Sequence, residues 1–233
     1  MYERDHTYPA PLTAATTANF FPKVYGWMTA GLALTALVAL FTLSSQGLLE
    51  LVFGNRLVFY GLIIGELGLV IALSAAINRI SAMAATLMFL LYSALSGVTF
   101  ASIFLVYTSS SIASTFMVAS GTFAAMSLYG YATKRDLTGW GSFLFMGLVG
   151  IIIASVVNIF LHSEMITWIT SYLGVFVFVG LTAYDTQKIK MIGQGGFADG
   201  ESQRKASILG ALTLYLDFIN LFLMLLRVMG NRR

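Results

Sequence analysis

The sequence predicts an all-α membrane protein, a seven-transmembrane-helix bundle, on three observations. Hydrophobic types make up 58% of the 233 residues and charged types only 10%. A soluble globular domain carries roughly 25% charged residues, so this surface cannot face water all round. Seven apolar runs, each near the roughly 20 residues that a bilayer-crossing helix needs, use up nearly the whole chain. In hydrocarbon each span must satisfy its own backbone hydrogen bonds, and the alternating strands of a membrane barrel are not seen.

Residues 1–23 are polar, contain Pro9, Pro11 and Pro22, and read as a cytoplasmic N-terminal tail. The first run, 24–43, is too long for a signal-peptide core and follows no short basic segment, so it reads as an uncleaved span. The second run is 57–77, ending before Asn78-Arg79, and the third is 81–107, ending before Ser109-Ser110-Ser111. The fourth, 112–131, stops before Lys134-Arg135-Asp136, and the fifth, 140–161, before His162-Ser163-Glu164. The sixth is 165–187. One sizeable loop, 188–205, follows, and its Gly193–Gly196 stretch reads as a flexible turn rather than a phosphate cradle. The seventh run is 206–226. The transmembrane domain is thus 24–227, with a short C-terminal tail at 228–233. Gly61 and Gly65 have the GxxxG spacing of close helix packing, or are background glycines of membrane helices; both readings stand. No internal repeat of the inverted-transporter kind is visible.

Positive residues accumulate in cytoplasmic loops. With the N-terminus inside, Arg4, Lys23, Arg79, Lys134, Arg135, Lys188, Lys190, Arg204 and Lys205 all lie inside, and only Arg56 lies in an outer loop. Arg227, Arg232 and Arg233 run against this if the last segment crosses. Its 21 residues favour crossing, so the C-terminus is expected outside.

The net charge of +3 and the lack of a basic cluster interleaved with aromatics speak against nucleic acid as a partner. Without cysteine there is no disulfide framework, thiolate metal site or cysteine nucleophile. The two histidines, His6 and His162, are too few for a His-rich metal centre. No hydrolase, zincin or nucleotide-binding motif is present, and the chain is read as a non-enzyme.

Three carboxylates interrupt the apolar runs: Glu66, Asp185 and Asp217. An Asp at the centre of an inserting helix costs about 2.5–3.5 kcal/mol on translocon scales, and such groups usually face a bundle interior or wet cavity. Asp185 can pair with Lys188 one turn away. Glu66 can be a protonated structural acid bonded to a neighbouring hydroxyl. Asp217 lies mid-helix, with Asn220 three residues on along the same face. Two carboxylates meeting in a bundle cannot both ionise cheaply, so they share a proton, and the same oxygens suit a hard cation such as Ca²⁺. Asp217 counts as deeper than Asp185, so the pair can meet only if the seventh helix starts late or the sixth extends past the membrane edge.

The stretch Gly180-Leu181-Thr182-Ala183-Tyr184-Asp185-Thr186-Gln187, with residues 207–222 around Tyr215-Leu216-Asp217-Phe218-Ile219-Asn220 and on to Arg227, resembles the Bax inhibitor-1 family. Lys23-Val24-Tyr25 and Lys134-Arg135-Asp136-Leu137 also fit, and the short tail and lack of cysteine look like the bacterial inner-membrane branch. The resemblance implies a seven-helix fold with the last helix central, wrapped by the other six. It also implies a pH-sensitive Ca²⁺ leak through two aspartates, here Asp185 and Asp217. An arginine near the end of helix two, here Arg79, would latch one aspartate, although its spacing from Glu66 departs from the pattern.

The leading expectation is therefore a calcium or cation leak channel, or sensor, gated by Asp185 and Asp217. Ca²⁺ is the permeant or bound ion, and Arg79, Glu66 and Asn220 are candidate latch or pore-lining residues. The alternative is an interaction protein that modulates a membrane quality-control protease or stress-response partner. An intramembrane aspartyl protease would need a Gly-x-Gly-Asp motif, whereas Leu216 precedes Asp217.

Overall fold

A computed structural model describes residues 19–233; most of the expected tail, residues 1–18, lies outside the described residues. Eight helices are present among the described residues: α1 Phe20–Ser44, α2 Gln46–Phe53, α3 Arg56–Ala76, α4 Ala82–Val106, α5 Ser109–Ala132, α6 Thr138–Leu161, α7 Glu164–Gln194 and α8 Gly200–Met229. Seven of them, all but α2, are long and apolar enough to cross a membrane.

Helix starts follow capping chemistry. Ser81, Thr108, Ser163 and Asp199 cap α4, α5, α7 and α8, each side chain accepting a backbone N–H of the first turn that would otherwise lack a partner. The short helix α2 has no counterpart among the expected runs. Ser45 caps it by accepting Leu48 N–H, and Gln46 Nε2 donates to Glu50 at 3.0 Å. Its residues Leu48, Leu49 and Val52 turn inward, while Leu51 is exposed on the other side. Ser45 was the visible signal for its start.

Buried residues on α1 recur at 20, 24, 28, 31, 35, 39 and 42, a stripe of helical period. That stripe packs on α4 and α8. The α5 stripe at 111, 115, 119, 123, 127 and 130 faces α7 and α8. The last helix is central: 72% of its apolar window is buried, against 6% for α3 and 11% for α6. Its main neighbours are α1, α4, α5 and α7, while α3 packs chiefly on α4, and α6 on α7. The wrapping is therefore by four helices, with α3 and α6 outside them.

Helices approach closest at glycines other than the expected pair. A Cβ on Gly61 or Gly65 would meet nothing within 4 Å, since both are exposed. A Cβ on Gly130 would strike the Ala183 backbone, and one on Gly97 would lie 2.6 Å from Thr35 O. The small residues that let α5 meet α7, and α4 meet α1, are thus not in a GxxxG pair.

At the end of the bundle where α1 begins, three helices and the α7–α8 loop are tied together. Lys23 Nζ donates to Gln203 Oε1 at 3.0 Å, Ala82 N–H donates to Glu201 Oε1 at 3.3 Å, and the Phe20 and Phe197 rings lie 4.9 Å apart. At the opposite end the C-terminal peptide pairs with the α4–α5 connection. Thr108 N–H donates to Asn231 O at 3.1 Å and Arg233 N–H to Val106 O at 2.9 Å. The last helix therefore crosses the full bundle, as its length predicts.

Candidate functional site: a carboxylate pair in a lateral groove

Asp185 and Asp217 come from the two longest helices. At about 1.5 Å per residue, the 31 residues of α7 and 30 of α8 span about 46 and 45 Å, well beyond the ~30 Å hydrocarbon core. Their antiparallel register is set by two contacts. A Cβ on Gly174 would lie 2.8 Å from the Met224 side chain, and one on Gly210 would lie 3.5 Å from Ile189 Cδ1. Residue 181 or 182 therefore faces Asp217, and Asp185 lies one turn nearer the α7–α8 loop. The depth mismatch counted from the sequence is removed because α7 continues helically to Gln194.

The two carboxyl groups line the same groove and lie near enough to influence each other's charge. Asp217 is only 5% exposed, and its Oδ2 is buried with no hydrogen-bond partner. A carboxylate oxygen only accepts, so two such groups face to face need a proton or cation between them. Asp185 is half-buried. Lys188 is exposed and attracts Asp185 from outside hydrogen-bonding range; its ammonium lies 6.0 Å from the Tyr184 ring centroid. Among the described residues the ion pair within 4 Å is Lys205 with Glu201, so the simple Asp185–Lys188 surface bridge does not form.

Both aspartates line a groove of 1280 Å³. Its floor is one face of α8, with Thr213, Asp217, Asn220, Met224 and Arg227 at spacings of three or four residues. One wall is α7, through Phe178, Leu181, Asp185 and Lys188. The other is α6, from Gly141 to Ile159, and Leu67 of α3 touches the rim. Asn220 thus lies in the groove, with its Nδ2 donating to Leu216 O at 2.8 Å. Gly141 gives Tyr184 its place, since a Cβ there would lie 2.5 Å from Tyr184 Cζ.

The other expected residues lie elsewhere. Arg79 is exposed in the turn after α3, outside the groove; its backbone N–H donates to Ala76 O at 2.7 Å, and its side chain makes no hydrogen bond or ion pair among the described residues. The structure does not bring it to either aspartate, because α3 packs chiefly on α4 and not on α7 or α8. Glu66 is also apart from the pair. Its Oε2 accepts from Ser96 Oγ at 3.3 Å and its Oε1 from Thr99 Oγ1, the structural hydroxyl bonding foreseen as one reading.

Sequence reasoning missed the groove as a whole, along with Tyr184 and the α6 wall. It also missed a polar cluster on the opposite face of α8, where Tyr215 Oη and Thr35 Oγ1 are 2.8 Å apart and Thr35 donates to Ser93 O at 2.8 Å. The two-residue step from Tyr215 to Asp217 turns a helix by about 200° and signals that separation. Among the described residues no group of three or more His, Cys, Asp or Glu converges as a metal site; the pair alone offers carboxylate oxygens.

The protein family described as "Inhibitor of apoptosis-promoting Bax1" matches residues 17–233. The chain is 61% identical over 216 residues to "Inner membrane protein YbhL" of Escherichia coli strain K12, covering 92% of each chain. It is 49% identical over 215 residues to a protein of Borreliella burgdorferi (92% of this chain, 93% of the relative). It is 46% identical over 217 residues to a protein of Rickettsia prowazekii (92% and 90%).

Proposed function

Because the chain belongs to the Bax inhibitor-1 family, we propose that it is a pH-sensitive calcium or cation leak pathway gated by Asp185 and Asp217. The observation that carries this reading is the buried Asp217 Oδ2 without a donor, facing a second carboxyl. With one shared proton the pair is a monoanionic unit in which one carboxyl donates to the other. Loss of that proton leaves two like charges in an apolar setting, which repel and draw in a hard cation. Protons and Ca²⁺ compete for the same oxygens. The other charged groups lining the groove, Lys188 and Arg227, are both cations. Neither removes the mutual repulsion, since Lys188 acts on Asp185 from a distance. Asn220, one turn from Asp217, adds a carbonyl oxygen to the cation's path.

The gate requires no enzymatic step and no resident cofactor. The positive residues of the α3–α4 and α5–α6 connections, with Lys188 and Lys190 near the end of α7 and Arg204 and Lys205 near the start of α8, support a cytoplasmic N-terminus, and the name of the Escherichia coli relative supports a bacterial inner membrane as the location. The test is Ca²⁺ entry into liposomes holding the purified protein, followed between pH 5 and 8. Entry is expected to fall on acidification, and Asp217→Asn is expected to abolish the pH dependence. Equal flux and equal pH response in wild type and Asp217→Asn would remove the gate.

A second reading, a docking protein for a membrane protease or stress-response partner, draws on a polar recess of 220 Å³ lined by Lys134, Arg135, Asp136, Gln187 and Lys190. Unchanged co-purification of membrane proteases after all three basic residues are replaced by Gln would count against it.

A further inference from the structure

The groove has features that ion leak does not use. It opens sideways: α3 packs chiefly on α4, α6 packs on α7, and no α3–α6 seam figures in the main packing. A face of the otherwise enclosed α8 is thereby uncovered between them. Most of its lining is apolar, including Phe145, Ile152, Phe178, Leu181 and Met224. Its volume, 1280 Å³, exceeds the range of about 300–1,000 Å³ typical of small-molecule pockets.

The length and the charges at its ends are informative. Ile189 packs on Gly210, so Lys188 lies near the level of residue 211. From that level to Arg227 is about 24 Å along α8, close to the ~30 Å thickness of the hydrocarbon. The groove thus spans most of the hydrocarbon depth, with mainly apolar walls and a floor where Thr213, Asp217 and Asn220 alternate with Leu216 and Met224, and it carries one cation near each end, Lys188 and Arg227. Arg227 is exposed, in the last turn of α8, and its guanidinium makes no hydrogen bond or ion pair among the described residues. A guanidinium with all its donors free at headgroup level matches a phosphate, which it can bind through two N–H groups at once.

We infer that one phospholipid molecule occupies this groove, its phosphate on Arg227 and one acyl chain lying along α8 past Asn220 toward the aspartates. The chain covers the uncovered side of α8 and keeps water from Asp185, the half-buried member of the pair. Its withdrawal opens the Asp185 carboxyl to water and cations, so lipid occupancy regulates access to the pair. The inference shares its groove with the leak reading but is tested without any measurement of flux, so either can fail alone.

The test places the purified protein in phosphatidylglycerol–phosphatidylcholine vesicles containing a trace of phospholipid with a photoactivatable diazirine at its chain end. Labelled peptides are mapped after irradiation. Label is expected on residues 213–224 of α8 as well as on the outward sides of α3 and α6. Ser155→Trp, which fills the groove from the α6 wall, is expected to cut α8 labelling at least fivefold while α3 labelling stays unchanged, which also reports that the variant folds. Arg227→Gln is expected to cut it several-fold, and Arg227→Lys to restore part of it. Labelled α3 and α6 with unlabelled α8 would overturn the inference, as would equal α8 labelling in Ser155→Trp or Arg227→Gln. In this cysteine-free chain, rapid reaction of Asn220→Cys with a water-soluble maleimide, with α8 unlabelled by lipid, would identify water as the occupant and likewise overturn it.

Discussion

Single residues decide where charge is tolerated. Asp217 was legible as an anomaly because an acidic group in a long apolar run costs energy wherever it points. Which partner it meets was not legible, since that depends on a helix register set by Gly174 against Met224 and Gly210 against Ile189. Outside the membrane, Asp199 is a simpler carboxylate. It caps α8 by accepting Ser202 N–H at 2.6 Å, and that bond holds its carboxyl below the usual aspartate range. A lowered value means that the cap stabilises the fold above the unfolded aspartate value of about 3.9 and is lost as pH falls through the lower folded one. Asp199→Ala is therefore expected to speed amide exchange over residues 200–204 near neutral pH. Wild type should approach the variant only in strong acid. Exchange that is identical at pH 7 would remove the cap.

At the scale of the element, the length of the apolar runs made the seven spans readable, and the observed bounds lie close to the expected ones except at the expected loop 188–205, where α7 runs on to Gln194 and α8 already starts at Gly200. The short α2 was missed because its eight residues fall below the length that marks a span. Packing partners were harder still. GxxxG spacing pointed to Gly61 and Gly65, but spacing says nothing about which face of α3 meets a neighbour. Gly130→Ala, which drives a methyl into the Ala183 backbone, is expected to cost about 1–3 kcal/mol or more, the usual penalty of overpacking. Gly61→Ala should be neutral or stabilise by up to about 1 kcal/mol through helix propensity. Thermal unfolding of both variants in detergent checks the contrast, and equal losses would place Gly61 at a contact.

At the scale of the whole molecule, the bundle places the start of α1 and the C-terminal peptide at opposite ends, the latter through Thr108 and Asn231. Positive charge alone argued against crossing by the last segment, because Arg227, Arg232 and Arg233 then lie outside. The pairing of Arg233 N–H with Val106 O overrides that count. With the N-terminus inside, Ser110→Cys is expected to react with a membrane-impermeant thiol reagent in intact spheroplasts, and Gln194→Cys only after lysis. The reverse pattern would invert the orientation.

The sequence by itself determined that this chain lives in a membrane, how many times it can cross, and which carboxylates are out of place. Those properties follow from transfer energies summed along local segments, which need no knowledge of neighbours. Only the tertiary structure decided that Asp185 and Asp217 meet, that Glu66 is bonded to Ser96 and Thr99 instead, and that Arg79 stays apart. It also decided that four helices rather than six enclose α8, leaving a groove on its remaining face. Such outcomes depend on the register and rotation of whole helices against one another. In an apolar chain those are set by close steric fit, which hydropathy does not encode.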